Sequence, residues 1–185
     1  MLAAPAPSEV EVFIGLGSNL GQLLENLRAG LAGIRELEGY RYIGQSSCYI
    51  TAPVGRVDQP AFVNAVVRGI YGGTALQLLD VLLEIEARQG RQRLERWGPR
   101  TLDLDLLLFG DQVLDLPELK VPHPEMHRRA FVLVPLQELS PQLVLPVWGQ
   151  TAEQLLECLT PAQRGSQKVE KVPWGWPAAC CATCS

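Results

Sequence analysis

The sequence lacks a basic excess, a disulfide framework and any long apolar run, and each lack excludes a class of protein. Lys and Arg number 16 against 20 Asp and Glu, giving a net charge of −4 and a pI near 5.2. Binding to a phosphate backbone normally leaves a basic excess, so no nucleic-acid partner is expected. No apolar stretch approaches the ~20 residues of a membrane span, and the opening MLAAPAPSEVEVF has neither the basic nor the apolar region of a signal peptide. The expectation is a cytoplasmic protein that does not engage a membrane. The five cysteines are odd in number, with Cys48 and Cys158 in apolar surroundings and the other three crowded into the terminal CCATCS. One C-x-x-C without a second pair or a nearby His is a weak zinc or redox signal, and the end reads as a frayed tail.

What is present suits a single core. The 185 residues are 47% hydrophobic and 19% charged, enough to bury one domain and too few for two of ordinary size. VEVFIGLG, Val10 to Gly17, reads as a buried strand closed by a Gly-rich turn. A helix then runs from near Asn19 to about Gly39, with Leu20, Leu23, Leu24, Leu27, Leu31 and Ile34 on one side. Tyr40 to Thr51 reads as a second strand, APVGRVDQPA as a loop, and Phe62 to Tyr71 as a third strand. Thr74 with Gln77 is a capping-box signature for a second helix ending at Gly90, and Thr101 to Phe109 is the fourth strand.

Strand, helix, strand, strand, helix, strand is the split βαβ order, so the fold class expected is α+β: a ferredoxin-like βαββαβ core with additional C-terminal strands and helices, a three-layer α/β/α sandwich. Beyond it, DQVLDLPELKVPHPEMHRRA suggests a hairpin leading to a loop, FVLVPLQELSP a short helix interrupted by Pro135, and Thr151 with Gln154 the cap of another helix. A single domain over residues 1–162 followed by a loose tail over 163–185 is expected, in a monomer.

The chemistry concentrates in RWGPRTLDLDLLLFGD. Alternation along a strand puts Asp103, Asp105, Leu107 and Phe109 on one face and Leu102, Leu104, Leu106 and Leu108 on the other. Carboxylates two residues apart lie about 6.5 Å apart along a strand, close enough to serve one or two divalent ions together. Salt bridges to adjacent arginines would also satisfy them. Those arginines are Arg88, Arg91, Arg93, Arg96 and Arg100, around Trp97. Guanidinium groups grip phosphate bidentately and stack on flat rings, so the loop suits a polyphosphate carrying an aromatic base; a solvated charged face is the plain alternative.

Phe62 and Asn64 share a strand face and suit a flat heterocycle with amide-like edges, or simply a core. His123, between Pro122 and Pro124, precedes His127, Arg128 and Arg129 at an expected helix N-terminus and can add phosphate donors. GLGSNLG misses both G-x-G-x-x-G and the P-loop, and reads as a tight turn with Ser18 or Asn19 as cap.

FIGLGSNLG, TAPVGRVDQPAFVNAV, GRQRLERWGPRTLDLDLLLFGD and VPHPEMHRRAFVLVPL together resemble the 6-hydroxymethyl-7,8-dihydropterin pyrophosphokinase family of folate biosynthesis, from about Val10 to Leu145. The resemblance implies transfer of the β,γ-diphosphate of ATP to the hydroxymethyl group of 6-hydroxymethyl-7,8-dihydropterin, releasing AMP. It implies two Mg²⁺ ions on Asp103 and Asp105, with Arg91 and Arg100 as catalytic arginines. Glu86, Arg93, Trp97, Arg100, His123 and Arg129 would bind ATP. The pterin would lie between Phe62 and Phe131, with Thr51, Pro53, Val54, Asn64, Trp97 and Asp103 around it; Phe62 replaces the Tyr of some members, so any role for that hydroxyl is lost. No general base stands out. The residues alone leave two rivals: another Mg²⁺-dependent nucleotide transferase, told apart by its products, and a non-catalytic ferredoxin-like binding module, told apart by sparing ATP.

Overall fold

The computed structural model describes residues 9–52, 59–90 and 100–175. The central strand is β1 (Val10–Ser18), followed by helix α1 (Leu23–Arg35), then β2 (Tyr40–Gln45), β3 (Cys48–Thr51), β4 (Phe62–Tyr71), α2 (Ala75–Arg88) and β5 (Asp103–Phe109). A small hairpin, β6 (Leu114–Asp115) with β7 (Lys120–Val121), leads through a 3-10 turn at Met126–Arg128 to α3 (Ala130–Leu139). A second hairpin, β8 (Val144–Leu145) with β9 (Gln150–Thr151), precedes α4 (Ala152–Cys158), α5 (Pro161–Ser166) and β10 (Val169–Val172). The main sheet runs β10-β3-β4-β1-β5, with β2 also pairing β4, and every pairing is antiparallel. Taking β2 and β3 as one broken strand, this is the ferredoxin-like order expected.

The sheet is buried on both faces. Against one, α1 and α2 pack Leu24, Leu27, Leu31, Ile34, Leu78, Leu82 and Ile85 onto Val12, Ile14, Leu104 and Leu106. Against the other, α3 packs Val132, Leu133 and Leu136 onto Phe13, Val66 and Leu107, and Leu155 of α4 joins the same cluster. The outcome is the three-layer α/β/α sandwich. Among the described residues no helix is long and apolar enough to cross a membrane.

Several boundaries differ from expectation for local reasons. Helix α1 begins at Leu23, after Gln22, which offers no side-chain cap, and Leu20 is exposed because it precedes the helix. The expected second strand breaks at Ser46, whose hydroxyl accepts the Val66 N–H and donates to the Ser47 carbonyl, diverting the ladder for two residues. Strict alternation fails in β5: Phe13 pairs with Leu108 and Ile14 with Leu106, leaving Leu107 as a bulge. Phe109 therefore turns to the α1 and α2 side, and Leu107 and Leu108 both face α3.

Helix α3 runs through Pro135 unbroken, losing only the N–H that would have met the Phe131 carbonyl. Cys158 is exposed rather than packed in an apolar setting, while Cys48 is buried as expected. The stretch expected to be loose from residue 163 finishes α5 and supplies β10, an edge strand on β3. The capping boxes at Thr74 and Thr151 are both formed.

Candidate functional site

Two glycines inside β1 open the site. Gly17 lies opposite Asp103 on β5 and Asn64 on β4; Gly15 lies opposite Asp105 and Val66. Residues directly opposite on antiparallel strands share a face, so the α3 side of the sheet carries acids on β5, nothing on β1, and an amide and an aromatic on β4. A Cβ on Gly17 would sit 3.1 Å from Asn64 Oδ1, and one on Gly15 3.5 Å from the Leu107 side chain. The bare row spans two strand spacings, roughly 10 Å. With Phe131 and Val132 of α3 above, it becomes a cavity of about 370 Å³ that is also lined by Thr51, Phe62, Asn64, Arg100, Asp103, Asp105, His123 and Arg129.

The carboxylates sit in opposed fields. Burial raises the Asp105 carboxyl to about 7, the Asp103 charge pushes it the same way, and Arg129 and Arg100 pull it back. Arg100 also forms an ion pair with Asp103, so metal-type and salt-bridge roles meet at the same group. Behind β5, the buried Glu86 accepts the Leu104 N–H at 2.7 Å, pinning the residue between the two aspartates.

Arg100 is held through its backbone. Its N–H donates to Asn19 Oδ1 at 2.7 Å and its carbonyl accepts the Asn19 N–H at 3.1 Å. Asn19, 2% exposed, also donates to Gln59 Oε1. The turn after β1 is therefore a clamp on the start of β5 rather than a helix cap.

The Leu107 bulge performs a similar service for His123, whose N–H donates to the Leu107 carbonyl at 2.9 Å. His123 Nδ1 accepts the Glu125 N–H, so the neutral ring carries its proton on Nε2. Burial lowers this imidazole to about 4, and the Arg129 charge adds to the effect. His123 is thus a neutral donor at physiological pH. The Arg129 guanidinium carbon lies 5.7 Å from the Phe131 ring centroid.

On the opposite wall, Asn64 Nδ2 donates to Thr51 Oγ1 at 2.8 Å, which fixes the amide and commits one of its donors. Of the residues expected in a site, Thr51, Phe62, Asn64, Arg100, Asp103, Asp105, His123, Arg129 and Phe131 line one cavity. Glu86 stands outside that lining, on the α2 side of β5. Pro53, Val54, Arg91, Arg93 and Trp97 lie outside the described residues. Gly15, Gly17, Asn19 and Gln59 are additions. Glycines at alternate positions of a strand pattern are a readable sign of close approach, whereas nothing in the sequence pairs Asn19 with Arg100.

Asp103 and Asp105 offer oxygen donors only, the set taken by hard divalent cations. Among the described residues no group of three or more His, Cys, Asp or Glu side chains could hold a metal. An ion on this pair would complete its shell from water and ligand oxygens, which is the habit of Mg²⁺. The residues fit such an ion.

Comparison with known proteins follows the same lines. The family model for 7,8-dihydro-6-hydroxymethylpterin-pyrophosphokinase matches residues 13–141. A 2-amino-4-hydroxy-6-hydroxymethyldihydropteridine pyrophosphokinase of Pseudomonas aeruginosa is 50% identical over 147 residues, covering 80% of this chain and 91% of that protein. The protein of the same name from Haemophilus influenzae is 47% identical over 137 residues, covering 74% of this chain and 86% of its own. Among solved structures, wild-type Plasmodium falciparum HPPK-DHPS with pterin and p-hydroxybenzoate superposes with a TM-score of 0.64 at 16% identity, a likeness of fold. It covers 83% of this chain, which spans 44% of the length of that one.

Proposed function

The chain belongs to the 7,8-dihydro-6-hydroxymethylpterin-pyrophosphokinase family, and from that premise we propose how its cavity performs the transfer. The activity is that of a folate-biosynthesis diphosphokinase: the diphosphate of ATP passes to the hydroxymethyl group of 6-hydroxymethyl-7,8-dihydropterin, leaving AMP. The observation that carries the site reading is the bare glycine row between Asp103 and Asp105 on β5 and Asn64 on β4. It offers a heterocycle one wall and a polyphosphate the other, across a row roughly 10 Å wide.

Phe62 and Phe131 stack the pterin. The Asn64 amide, oriented by Thr51, reads its edge, with Thr51, Pro53 and Val54 completing that wall. Asp103 and Asp105 would hold two Mg²⁺ ions, which when bound would supply charge neutralisation for the phosphates. Arg100 exchanges its Asp103 ion pair for phosphate oxygen as ATP arrives, since a guanidinium serves either partner in the same fork geometry. Arg129 and the His123 Nε2–H add donors to the phosphates. Burial and the Arg129 charge favour the neutral His123 ring before phosphate arrives.

The hydroxymethyl oxygen attacks the β-phosphorus in line, its bond to that phosphorus forms as the bond to the α-phosphate oxygen breaks, and AMP departs. The hydroxyl proton goes to water. Positioning and charge neutralisation suffice for a primary alcohol so held. Arg91, Arg93 and Trp97 are assigned to ATP, with Arg91 stabilising the transferring group, while Glu86, expected at ATP, instead supports the strand between the two aspartates from behind β5. The catalytic domain on this reading extends past residue 162 to take in β10, and it acts as a monomer.

The test is a product analysis. Incubated with ATP, Mg²⁺ and the pterin, the protein should yield AMP and pterin diphosphate in equal amounts, and EDTA should abolish both. ADP or free pyrophosphate as the accompanying product would overturn the assignment.

A further inference from the structure

Gln167 lies beyond the residues matched by the family model, in the segment the sequence marks as loose, yet only 4% of it is exposed. Its Oε1 accepts the Ala130 N–H at 2.7 Å and its Nε2 donates to the Arg128 carbonyl at 2.9 Å. Helix α3 has no side-chain cap of its own at Arg129. An uncapped helix N-terminus leaves N–H donors to be satisfied elsewhere, and here the partner comes from 37 residues away.

The two contacts bracket one residue. Arg129 is extended, with φ −107° and ψ 100°, between the 3-10 turn and α3. With the carbonyl before it and the N–H after it both fixed by one amide, the backbone of Arg129 is clamped, and Phe131 follows in the first turn of the helix. Both side chains line the cavity.

Gln167 is itself anchored. Two residues on, Val169 pairs with Thr51 in the β10–β3 ladder, so the same strap meets the Asn64 wall. Its far end is tied by Trp174 Nε1 donating to the Ser46 carbonyl at 2.8 Å and by Arg28 donating to the Trp174 carbonyl.

We propose that Gln167 is a positioning residue for the transfer: its amide sets Arg129 and Phe131 against the cavity, acting through the start of α3 without touching substrate. The inference rests on the proposed function for its kinetic consequence but not for its geometry.

Gln167→Ala in the full chain is the test, with Lys171→Ala, on the same strap and outside the site, as control. Sub-ångström to ångström displacement of a binding group costs on the order of 10- to 100-fold in rate. Gln167→Ala should therefore lower kcat/KM by about that factor, raising KM for ATP and for the pterin, in protein that still unfolds cooperatively; Lys171→Ala should stay within about twofold of wild type. Without substrate, exchange of the Ala130 amide should quicken at least ~10-fold and the Phe131 ring resonances should shift.

Unchanged Ala130 exchange, or unchanged kcat/KM in a variant whose Ala130 amide has opened, overturns the proposal. So does an equal loss in Lys171→Ala, which would point to the strap as a whole. Gln167→Glu, which keeps the acceptor for Ala130 and opposes the Arg128 carbonyl, should fall between, and it carries the same readouts should the alanine variant not fold. A wild-type protein that makes no AMP refutes the proposed activity, while the exchange and ring measurements still decide this inference.

Discussion

Asn19 and Arg100 hold each other from both directions, the Asn19 amide oxygen accepting the Arg100 N–H while the Arg100 carbonyl accepts the Asn19 N–H. A residue in the turn after the first strand thereby sets where the last core strand begins. Asp103 follows three residues later, so its height above the sheet depends on this clamp.

Replacing Asn19 by Ala leaves the part-buried Arg100 N–H without its partner. The expected cost is about 1–3 kcal/mol of folding stability, read from urea denaturation. A larger fractional fall in kcat than in folded protein should accompany it, because Arg100 and Asp103 shift together. A variant with wild-type kcat would show that the clamp serves the fold alone.

Gly17→Ala should spare most of the stability and damage the site. The added Cβ would lie 3.1 Å from Asn64 Oδ1, closer than comfortable contact, and Asn64 is already tied to Thr51. Asn64 must yield, so KM for the pterin should rise several-fold while KM for ATP changes less. Equal changes in both would place the obstruction elsewhere. Steady-state kinetics with each substrate varied in turn separates the outcomes.

Glu138 supplies a pH dependence away from the cavity. Burial alone would raise its carboxyl, but hydrogen bonds from Tyr49, Ser47 and Lys171 outweigh it and hold the group below the usual carboxylate value. A depressed folded-state value means the unfolded chain takes the proton first. The stability from this network is therefore complete above the unfolded value of about 4.3 and is lost as pH falls through the lower folded value. Because Glu138 is exposed and its contacts are screened by solvent, Glu138→Gln should cost no more than about 1 kcal/mol at pH 7 and flatten the acid limb of the stability curve. An unchanged limb in acid-denaturation series would contradict the network's role.

Local patterning carried much of the architecture. Phe62–Tyr71 has the bounds expected from its β-branched and aromatic run, and the α2 cap at Thr74 with Gln77 is present as its spacing implied. What stayed hidden was nonlocal. The Ser46 break depends on Val66, the Leu107 bulge on register with Phe13 and Ile14, and the β10 edge on an open side of β3.

The site divides in the same way. Two acids at alternate positions declare a shared face on β5, and the bulge that reverses Phe109 falls after them. Gly15 and Gly17 looked like the beginning of a turn, although their alternate spacing in a strand pattern signals close approach; which residues flank them on the neighbouring strands is not written in that spacing. Gln167 was illegible for a stronger reason: its partners are backbone atoms of Arg128 and Ala130, which any sequence would offer.

The carboxylate pair bears most directly on the whole account. Asp103→Ala and Asp105→Ala, each assayed in defined Mg²⁺ at saturating ATP and pterin, should lose at least about 10³-fold in kcat, in keeping with removal of metal and electrostatic support for transfer. Each variant should keep a cooperative unfolding transition and the circular dichroism of the parent. Full turnover by either variant under those conditions would contradict the assignment of Asp103 and Asp105 as the metal-binding centre of the reaction.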